Sequence, residues 1–236
     1  MSSRPSRGDP NKLIAGAHPG YPNGSKTALM SAAEGGSAAK VAALVDDGKA
    51  DVSIKNEHGL TALHFASTPE AARALVERGA DVGALAKELE YMKPSASPLI
   101  VAIRRDDAKM VKELIALGAD AEICESYPYD NYGSDSPIKR CFGVHGAIKK
   151  EALAALLEAG ASVDGTVGAP PLHMAIKAMH IVGVRALCDA GADLGLKCRM
   201  GAGFPPETAL AFTIRTSQIA GGAIEAELRG RGAPLA

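Results

Sequence analysis

The stretch Thr61–Asp81, which reads TALHFASTPEAARALVERGAD, decides the fold. It begins with a Thr that can cap a helix, runs through a segment rich in Ala and Leu, and closes with Gly-Ala-Asp. A second stretch, Pro170–Asp193, reads PPLHMAIKAMHIVGVRALCDAGAD and has the same order of features. Each is long enough for a short helix, a tight turn and a second helix. Recurrence of this kind indicates a repeat architecture.

The closing glycine recurs along the whole chain. The apolar residues before it fall on one face of a helix, as Met110, Val111, Leu114 and Ile115 do before Gly118. Glycine accepts the left-handed conformation that ends a helix, so each closing glycine predicts a helix end. The closing glycines are Gly48, Gly79, Gly118, Gly160, Gly191 and Gly232, the first in the degenerate form Gly-Lys-Ala-Asp.

The helix starts recur as well. Three copies place the start 21 residues before the glycine, at Thr27, Ser97 and Pro170. Counting the same interval back from Gly160 puts the fourth start at Lys139–Cys141, with Val144, Ala147 and Ile148 as its apolar face. The second copy is shorter, which predicts helices trimmed by about one turn, and the sixth, from Thr208, is stretched.

These segments resemble the signature of the ankyrin repeat family, T-P-L-H-x-A followed by a leucine-rich helix and G-A-D. The resemblance covers roughly residues 24–236. It implies an all-α ankyrin-repeat solenoid of about six helix-turn-helix repeats, joined by short hairpin loops and three long inter-repeat insertions. In this family the signature histidine hydrogen-bonds between loops, so the resemblance implies a structural role for His64 and His173.

We expect residues 1–23 to be a flexible N-terminal tail and residues 24–236 to be the repeat domain. The linkers 82–96, 121–138 and 194–207 exceed the usual hairpin length, and long insertions in repeat arrays map to loops that often bind. The expected repeats are roughly 24–56, 57–93, 94–135, 136–166, 167–204 and 205–236.

Composition restricts the function classes. Hydrophobic residues make up 47% of the chain, aromatic residues only 4%, and the formal net charge is -1. A core of small aliphatic residues favours stacked helices, and the lack of a basic excess argues against nucleic acid. The four cysteines form no C-x-x-C pair, and we see neither a signal segment nor an apolar run long enough for a membrane. We therefore expect reduced thiols, a cytoplasmic protein, and a monomer when free.

The resemblance also implies where a partner binds, because ankyrin-like proteins use the concave surface of hairpin tips and first helices. A basic strip across the later repeats is expected from the cations at these positions, Arg104, Arg105, Lys177 and Arg215, since Arg offers paired donors to carboxylate and phosphate. An acidic or phosphorylated segment of another protein is the expected partner, and a solvated helix face with scattered charge is the alternative. The positions carried over are Lys26, Glu34, Gly35, Glu57, His58, Leu60, Thr68, Lys93, Arg104, Arg105, Asp135, Gly146, Lys177, Ala178, Arg215 and Thr216.

The loop 125–135 is a second candidate contact. It contains Tyr127, Tyr129 and Tyr132, three of the five tyrosines in the chain. Tyrosine is a favoured interface anchor, whereas packing of the rings back onto the repeats as a lid is the alternative. Both interpretations stay open at this point.

Catalytic and cofactor motifs are weak. The segment 20–27 lacks the Gly-Lys pair of a phosphate loop, and no set of Ser, His and Asp has the spacing of a catalytic triad. Cys124, Cys141 and His145 do not supply four ligands for zinc. We predict a non-catalytic protein-interaction module, an adaptor, scaffold or inhibitor, with no cofactor and no metal. The alternative is a regulatory subunit or small-molecule sensor with a pocket between the long loops.

Overall fold

The computed structural model of the chain describes residues 9–14, 25–86, 96–122, 136–142, 148–166, 168–200, 203–216 and 222–235. Two compact units divide the chain. Unit 1 comprises residues 1–101 and 112–119, and unit 2 comprises residues 102–111 and 120–236. Each unit is described by itself below.

The described residues form short α-helices in successive pairs, and their only β-structure is three isolated antiparallel bridges. One pair with its closing turn is one repeat, so the predicted helical repeat architecture is confirmed. None of these helices has the length and apolar character needed to cross a membrane. The first helices of the six pairs are α1 (Ala28–Glu34), α3 (Ala62–Phe65), α5 (Pro98–Arg104), α7 (Pro137–Arg140), α9 (Pro171–Lys177) and α11 (Ala209–Thr216). The second helices are α2 (Ala38–Asp46), α4 (Pro69–Val76), α6 (Ala108–Ala116), α8 (Lys150–Glu158), α10 (Ile181–Asp189) and α12 (Gly222–Gly230).

Side-chain caps start several of these helices. The Thr27 Oγ1 atom accepts a hydrogen bond of 3.2 Å from the backbone N–H of Met30, and the Thr68 Oγ1 atom accepts one of 3.2 Å from Ala71. A cap satisfies an N–H group that has no partner inside the helix. Of the predicted Thr starts, Thr27 and Thr208 therefore cap their helices with the side chain, whereas Thr68 caps a second helix.

The closing glycines end the second helices as predicted. Gly79 and Gly191 both have a φ of 89°, a left-handed conformation that costs glycine little. The first repeat is different, because Lys49, with a φ of 57°, takes the left-handed position directly after Gly48. The degenerate Gly-Lys-Ala-Asp turn thus contains one additional residue.

Neighbouring repeats stack helix on equivalent helix. In unit 1, α1 packs on α3 and α2 packs on α4; in unit 2, α9 packs on α11 and α10 packs on α12. Alanines such as Ala33 and Ala71 are completely buried in these contacts, which lets the backbones approach closely. Larger side chains fill the remaining space, including Leu75 in unit 1 and Leu156 in unit 2. Because each pair is too small to enclose its own apolar face, the stack is what buries it.

The fourth repeat corrects the predicted start. The cap position of its first helix is Ser136, three residues before the start predicted at Lys139, and the helix begins at Pro137. Ser136-Pro137-Ile138 matches Ser97-Pro98-Leu99, but the interval to Gly160 is longer than in the first, third and fifth copies. The helix is only one turn long and is followed by an antiparallel bridge between Phe142 and Ile148. Val144 and Ala147 of the predicted apolar face lie outside the described residues.

The second repeat is trimmed as predicted, since α3 has four residues whereas α1 has seven. In the N-terminal segment, the described residues 9–14 lie against the first repeat. Ile14 and Lys26 exchange backbone hydrogen bonds of 2.9 and 3.0 Å, and the Asn11 side chain accepts one of 2.8 Å from Asp51. The boundary predicted at residue 24 stays a prediction.

Candidate protein-interaction surface

One position repeats at the end of the first helices. We call the seventh residue of a first helix the helix-end position. It is Glu34 in α1, Arg104 in α5, Lys177 in α9 and Arg215 in α11. These three cations and Arg105, the fourth residue of the predicted basic strip, all belong to unit 2.

Arg104, Arg105 and Lys177 have exposed side chains. Arg104 and Lys177 end α5 and α9, and Arg105 lies in the turn after α5. Asp106, which follows Arg105, has a φ of 57° and accepts a hydrogen bond of 3.0 Å from the Ala152 N–H group at the start of α8. The turn that carries Arg105 is therefore held to the next repeat of unit 2.

Arg215 is placed differently from the other cations of the strip. Its Nε atom donates to both carboxylate oxygens of Glu207, at 2.9 and 2.8 Å. Its guanidinium carbon lies 4.1 Å from the ring centre of Phe204 and 5.3 Å from that of Phe212. The side chains of Arg215 and Glu207 are only 29% and 15% exposed. Arg215 thus already holds a carboxylate within its own repeat.

The first repeat carries the same ion pair with the charges exchanged. We call the residue two places before a first helix the pre-helix position; it is Lys26 before α1 and Glu207 before α11. The Lys26 Nζ atom donates to the Glu34 carboxylate at 2.7 and 2.8 Å and lies 5.0 Å from the ring centre of Phe65. The pair Lys26–Glu34 therefore joins the same two positions as Glu207–Arg215.

Glu57 and His58 form the tip of a hairpin in unit 1. The Asn56 side-chain oxygen holds the turn by accepting hydrogen bonds from the N–H groups of His58 and Leu60, at 3.0 and 2.9 Å. The Glu57 carboxylate accepts from the Ser25 N–H and hydroxyl groups at 2.7 and 3.1 Å. Backbone N–H groups at Glu57 and Ser25 lower the pKa of this carboxyl group. The tip is thus an acidic site of unit 1 that hydrogen bonds hold in place.

Several candidate residues lie outside the described residues: Tyr127, Tyr129 and Tyr132 of the tyrosine loop, and the carried-over positions Lys93, Asp135 and Gly146. The tyrosine loop therefore stays a prediction.

The signature histidines have the structural role that the resemblance implies. The His64 Nε2 atom is 2.9 Å from the Ala96 carbonyl oxygen, and its Nδ1 atom accepts from the Thr61 N–H group at 3.1 Å. The His173 Nε2 atom is 3.0 Å from the Glu207 carbonyl oxygen. Burial lowers the pKa of His64 to about 4, so the ring is neutral and ties neighbouring loops together.

The second helices and the turns directly after them carry a set of ion pairs that sequence reasoning missed. Arg78 binds Asp46, and Arg73 binds Glu113, both through two hydrogen bonds of 2.7–2.9 Å. Equivalent pairs join Arg231 to Asp189 and Arg185 to Glu227 in unit 2. The sequence signal that could have revealed them is the recurrence of these charges at fixed places in the second helices and the turns after them. Each of these arginines pairs with a carboxylate of a neighbouring repeat.

Side chains suited to bind a metal are dispersed. Across the described ranges there is no group of three or more His, Cys, Asp or Glu residues that could hold a metal ion. Cys141 is buried, and burial raises the pKa of its thiol.

The sequence and the fold both resemble known ankyrin repeat proteins. Residues 11–86 match the family model for ankyrin repeats, in three copies. These matched residues belong to the ankyrin repeat family. The ankyrin repeat domain of Bcl-3, whose crystal structure is described as that of a unique member of the IkappaB protein family, superposes with a TM-score of 0.68 at 23% identity, covering 89% of this chain and 87% of that one. At that identity the superposition shows the ankyrin-repeat fold.

A curated ankyrin relative matches over part of the chain. The B-cell lymphoma 3 protein homolog of Mus musculus is 37% identical over 115 residues, which cover 46% of this chain. That alignment spans about a quarter (25%) of the relative's length. The relative is thus much longer than the region it shares with this chain.

Proposed function

We propose that this ankyrin-repeat chain is a non-catalytic module that binds another protein with the ends of its first helices and its hairpin tips. The partner contributes an acidic or phosphorylated segment, and the cations that receive it are Arg104, Arg105 and Lys177. The chain acts as an adaptor, scaffold or inhibitor in the cytoplasm, as a monomer until it binds. Fold does not fix function, so the proposal depends on the site.

The observation that carries the proposal is the repetition of exposed cations at equivalent places of unit 2. Arg104 and Lys177 occupy the helix-end positions of α5 and α9, and Arg105 follows Arg104 in the turn after α5. Exposed cations at equivalent places form a surface with a regular charge pattern, which favours an extended acidic segment.

The similarity to Bcl-3 supports a protein partner in a general sense. Ankyrin repeats are protein-interaction modules, and the solved ankyrin repeat domain of Bcl-3 is described as that of a member of the IkappaB protein family. The similarity does not indicate the charge of that partner. The cations at the helix-end positions of this chain are the reason to expect an acidic one.

Affinity capture with mass spectrometry tests the proposal. The chain is immobilised and exposed to a lysate, and partners held by the wild type are compared with those held by the Arg104→Ala/Arg105→Ala variant. The matched control is Lys109→Ala/Lys150→Ala, which removes the same charge from exposed residues of the second helices. We expect the first variant to lose an acidic or phosphorylated partner that the control retains. Equal capture by all three proteins would contradict the proposed surface.

A further inference from the structure

The N-terminal segment 9–14 has the geometry of a hairpin that joins two repeats. Ile14 exchanges backbone hydrogen bonds of 2.9 and 3.0 Å with Lys26, the pre-helix residue of the first repeat. Cys198 exchanges bonds of the same lengths with Glu207, the pre-helix residue of the sixth repeat. The segment therefore pairs with the first repeat as the hairpin from the fifth repeat pairs with the sixth.

The turn that begins the segment supports this equivalence. The Asp9 carboxylate accepts a hydrogen bond of 2.9 Å from the Asn11 N–H group, as the Asp193 carboxylate accepts one of 2.8 Å from the N–H group two places later. The Asn11 side-chain oxygen accepts one of 2.8 Å from Asp51, which follows the first closing glycine. Asp164 accepts one of 2.9 Å from Asp193, which follows the fifth closing glycine, in the same way. The segment thus takes the place of a hairpin from a preceding repeat.

Beside this segment, an open groove of about 1010 Å³ lies on the first helix pair. Its walls include Ala32 of α1, Ala43 and Leu44 of α2, and residues of the segment 9–14. Leu44 is half-buried, whereas the equivalent Leu75 of the second repeat is completely buried. Among the described residues, the face that α2 covers on the second repeat is thus only partly covered on the first. We call this feature the first-repeat groove.

Two exposed charged residues line the first-repeat groove, at positions that other repeats use to contact a neighbour. Asp47 directly precedes its closing glycine, as Arg78 and Arg231 do, and each of those arginines binds an aspartate of the preceding repeat at 2.7 Å. Lys40 lies eight places before its closing glycine. In the other five repeats that position is buried and uncharged, and it is Ala71, Met110, Ala152, Gly183 or Ile224. Within the described residues, the side chains of Lys40 and Asp47 form no hydrogen bond or ion pair.

We propose that the first-repeat groove binds an α-helix of a partner protein, which stacks on α1 and α2 as the second helix of a preceding repeat would. The contact continues the stacking interface that α2 already forms with α4. Alanines in the groove let the backbone of a bound helix approach closely, as the buried alanines between repeats do. The groove contains none of the cations proposed to bind an acidic segment, so the inference goes beyond the proposed function.

The two charges of the groove determine the chemistry of the bound helix. Arg78 meets an aspartate of the preceding repeat, and at the same place Asp47 requires a basic side chain. Lys40 precedes Asp47 by seven residues, so it requires an acidic side chain about two helical turns before the basic one. Between the two charges, small apolar side chains pack on Ala43 and Leu44. The expected ligand is an amphipathic helix with this acid and this base on its apolar face.

Fluorescence anisotropy with a designed helix tests the inference. The probe is a fluorescein-labelled Ala/Leu peptide of about 20 residues, stapled because short helices are marginal in water. On one face it carries Glu and then Arg, at the interval that separates Lys40 from Asp47. We expect saturable binding to the full chain, weakened about fivefold by Lys40→Glu, since the change replaces a surface attraction by a repulsion. The matched control Lys109→Glu makes the same charge change at an exposed residue of α6 and should bind like the wild type.

A second probe, with Lys in place of Glu, separates the possible outcomes. It should prefer Lys40→Glu to the wild type, because the ion pair is restored with its charges exchanged. Equal weakening by Lys40→Glu and Lys109→Glu, or no saturable binding to the wild type, would overturn the inference. Sedimentation velocity detects the alternative occupant, a second copy of the chain. A wild type that self-associates, with Lys40→Glu monomeric, would also overturn it. None of these results decides the proposed function, which is tested by Arg104→Ala/Arg105→Ala.

Discussion

The two best copies of the ankyrin signature differ at the residue before the first helix. In the second repeat it is Thr61, whose N–H group and hydroxyl lie 3.1 and 2.9 Å from the His64 Nδ1 atom. In the fifth repeat it is Pro170, which has no N–H group and no hydroxyl, and the His173 Nδ1 atom is buried without a hydrogen-bond partner. Both histidines still reach the next loop through Nε2. Both copies of the signature thus keep the hydrogen bond of the histidine Nε2 atom to the next loop. Whether the Nδ1 atom is also bonded depends on the residue before the first helix.

Replacement of either histidine should lower the free energy of unfolding more than the other changes considered below, and the two losses should differ in size. His64→Ala removes a buried ring and leaves the Thr61 N–H group and the Ala96 carbonyl group unpaired, so we expect a loss of about 4 kcal/mol in the free energy of unfolding. His173→Ala removes a ring that makes fewer hydrogen bonds, so we expect a smaller loss of about 2 kcal/mol in the free energy of unfolding. Urea unfolding followed by circular dichroism measures both. Equal losses would break the comparison.

Protonation of His64 should lower the stability of the fold at acidic pH. The pKa of its ring is about 4 in the folded chain because of burial, against an ordinary value of 6.5. Between these values the unfolded chain binds more protons, so the free energy of unfolding falls as the pH drops from 6.5 towards 4 and is unaffected by this group above 6.5. The expected contribution is about 3 kcal/mol. Unfolding of wild type and His64→Gln at a series of pH values should show a shallower acid decline in the variant, and identical declines would contradict this role.

The missing bond of the fifth repeat can be restored. Pro170→Thr supplies an N–H group and a hydroxyl where Thr61 has them, at the cost of a more flexible unfolded chain. We therefore expect a coupling of about 1 kcal/mol between Pro170→Thr and His173→Ala in a double-mutant cycle. The cycle compares the free energies of unfolding of the four proteins. A coupling near zero would show that the ring does not use the new cap.

Much of this architecture follows from local signals in the sequence. The left-handed glycines and the Thr caps were predictable, since each depends on the chemistry of one residue and its neighbours. The start of the fourth repeat at Ser136 was missed because a longer segment between start and glycine breaks the 21-residue count, although Ser136-Pro137-Ile138 was visible.

The site was predictable only in part. Arg104 and Lys177 could be predicted because each lies at a fixed distance from the start of its repeat, and both are exposed at equivalent positions. The pairing of Arg215 with Glu207 was not found, because Glu207 lies before the helix and meets Arg215 only once the helix has formed. Pairs between repeats, such as Arg73 with Glu113, depend on the stacking of neighbouring helices, which a local pattern does not report.

Hydrogen–deuterium exchange with and without saturating deca-glutamate peptide tests the central claim most directly, because it reports which helices the acidic ligand covers. We predict slower exchange at residues 98–107 and 171–180, where Arg104, Arg105 and Lys177 lie, and unchanged exchange in the second helices at 108–116 and 181–189. Slower exchange confined to the second helices would contradict the account.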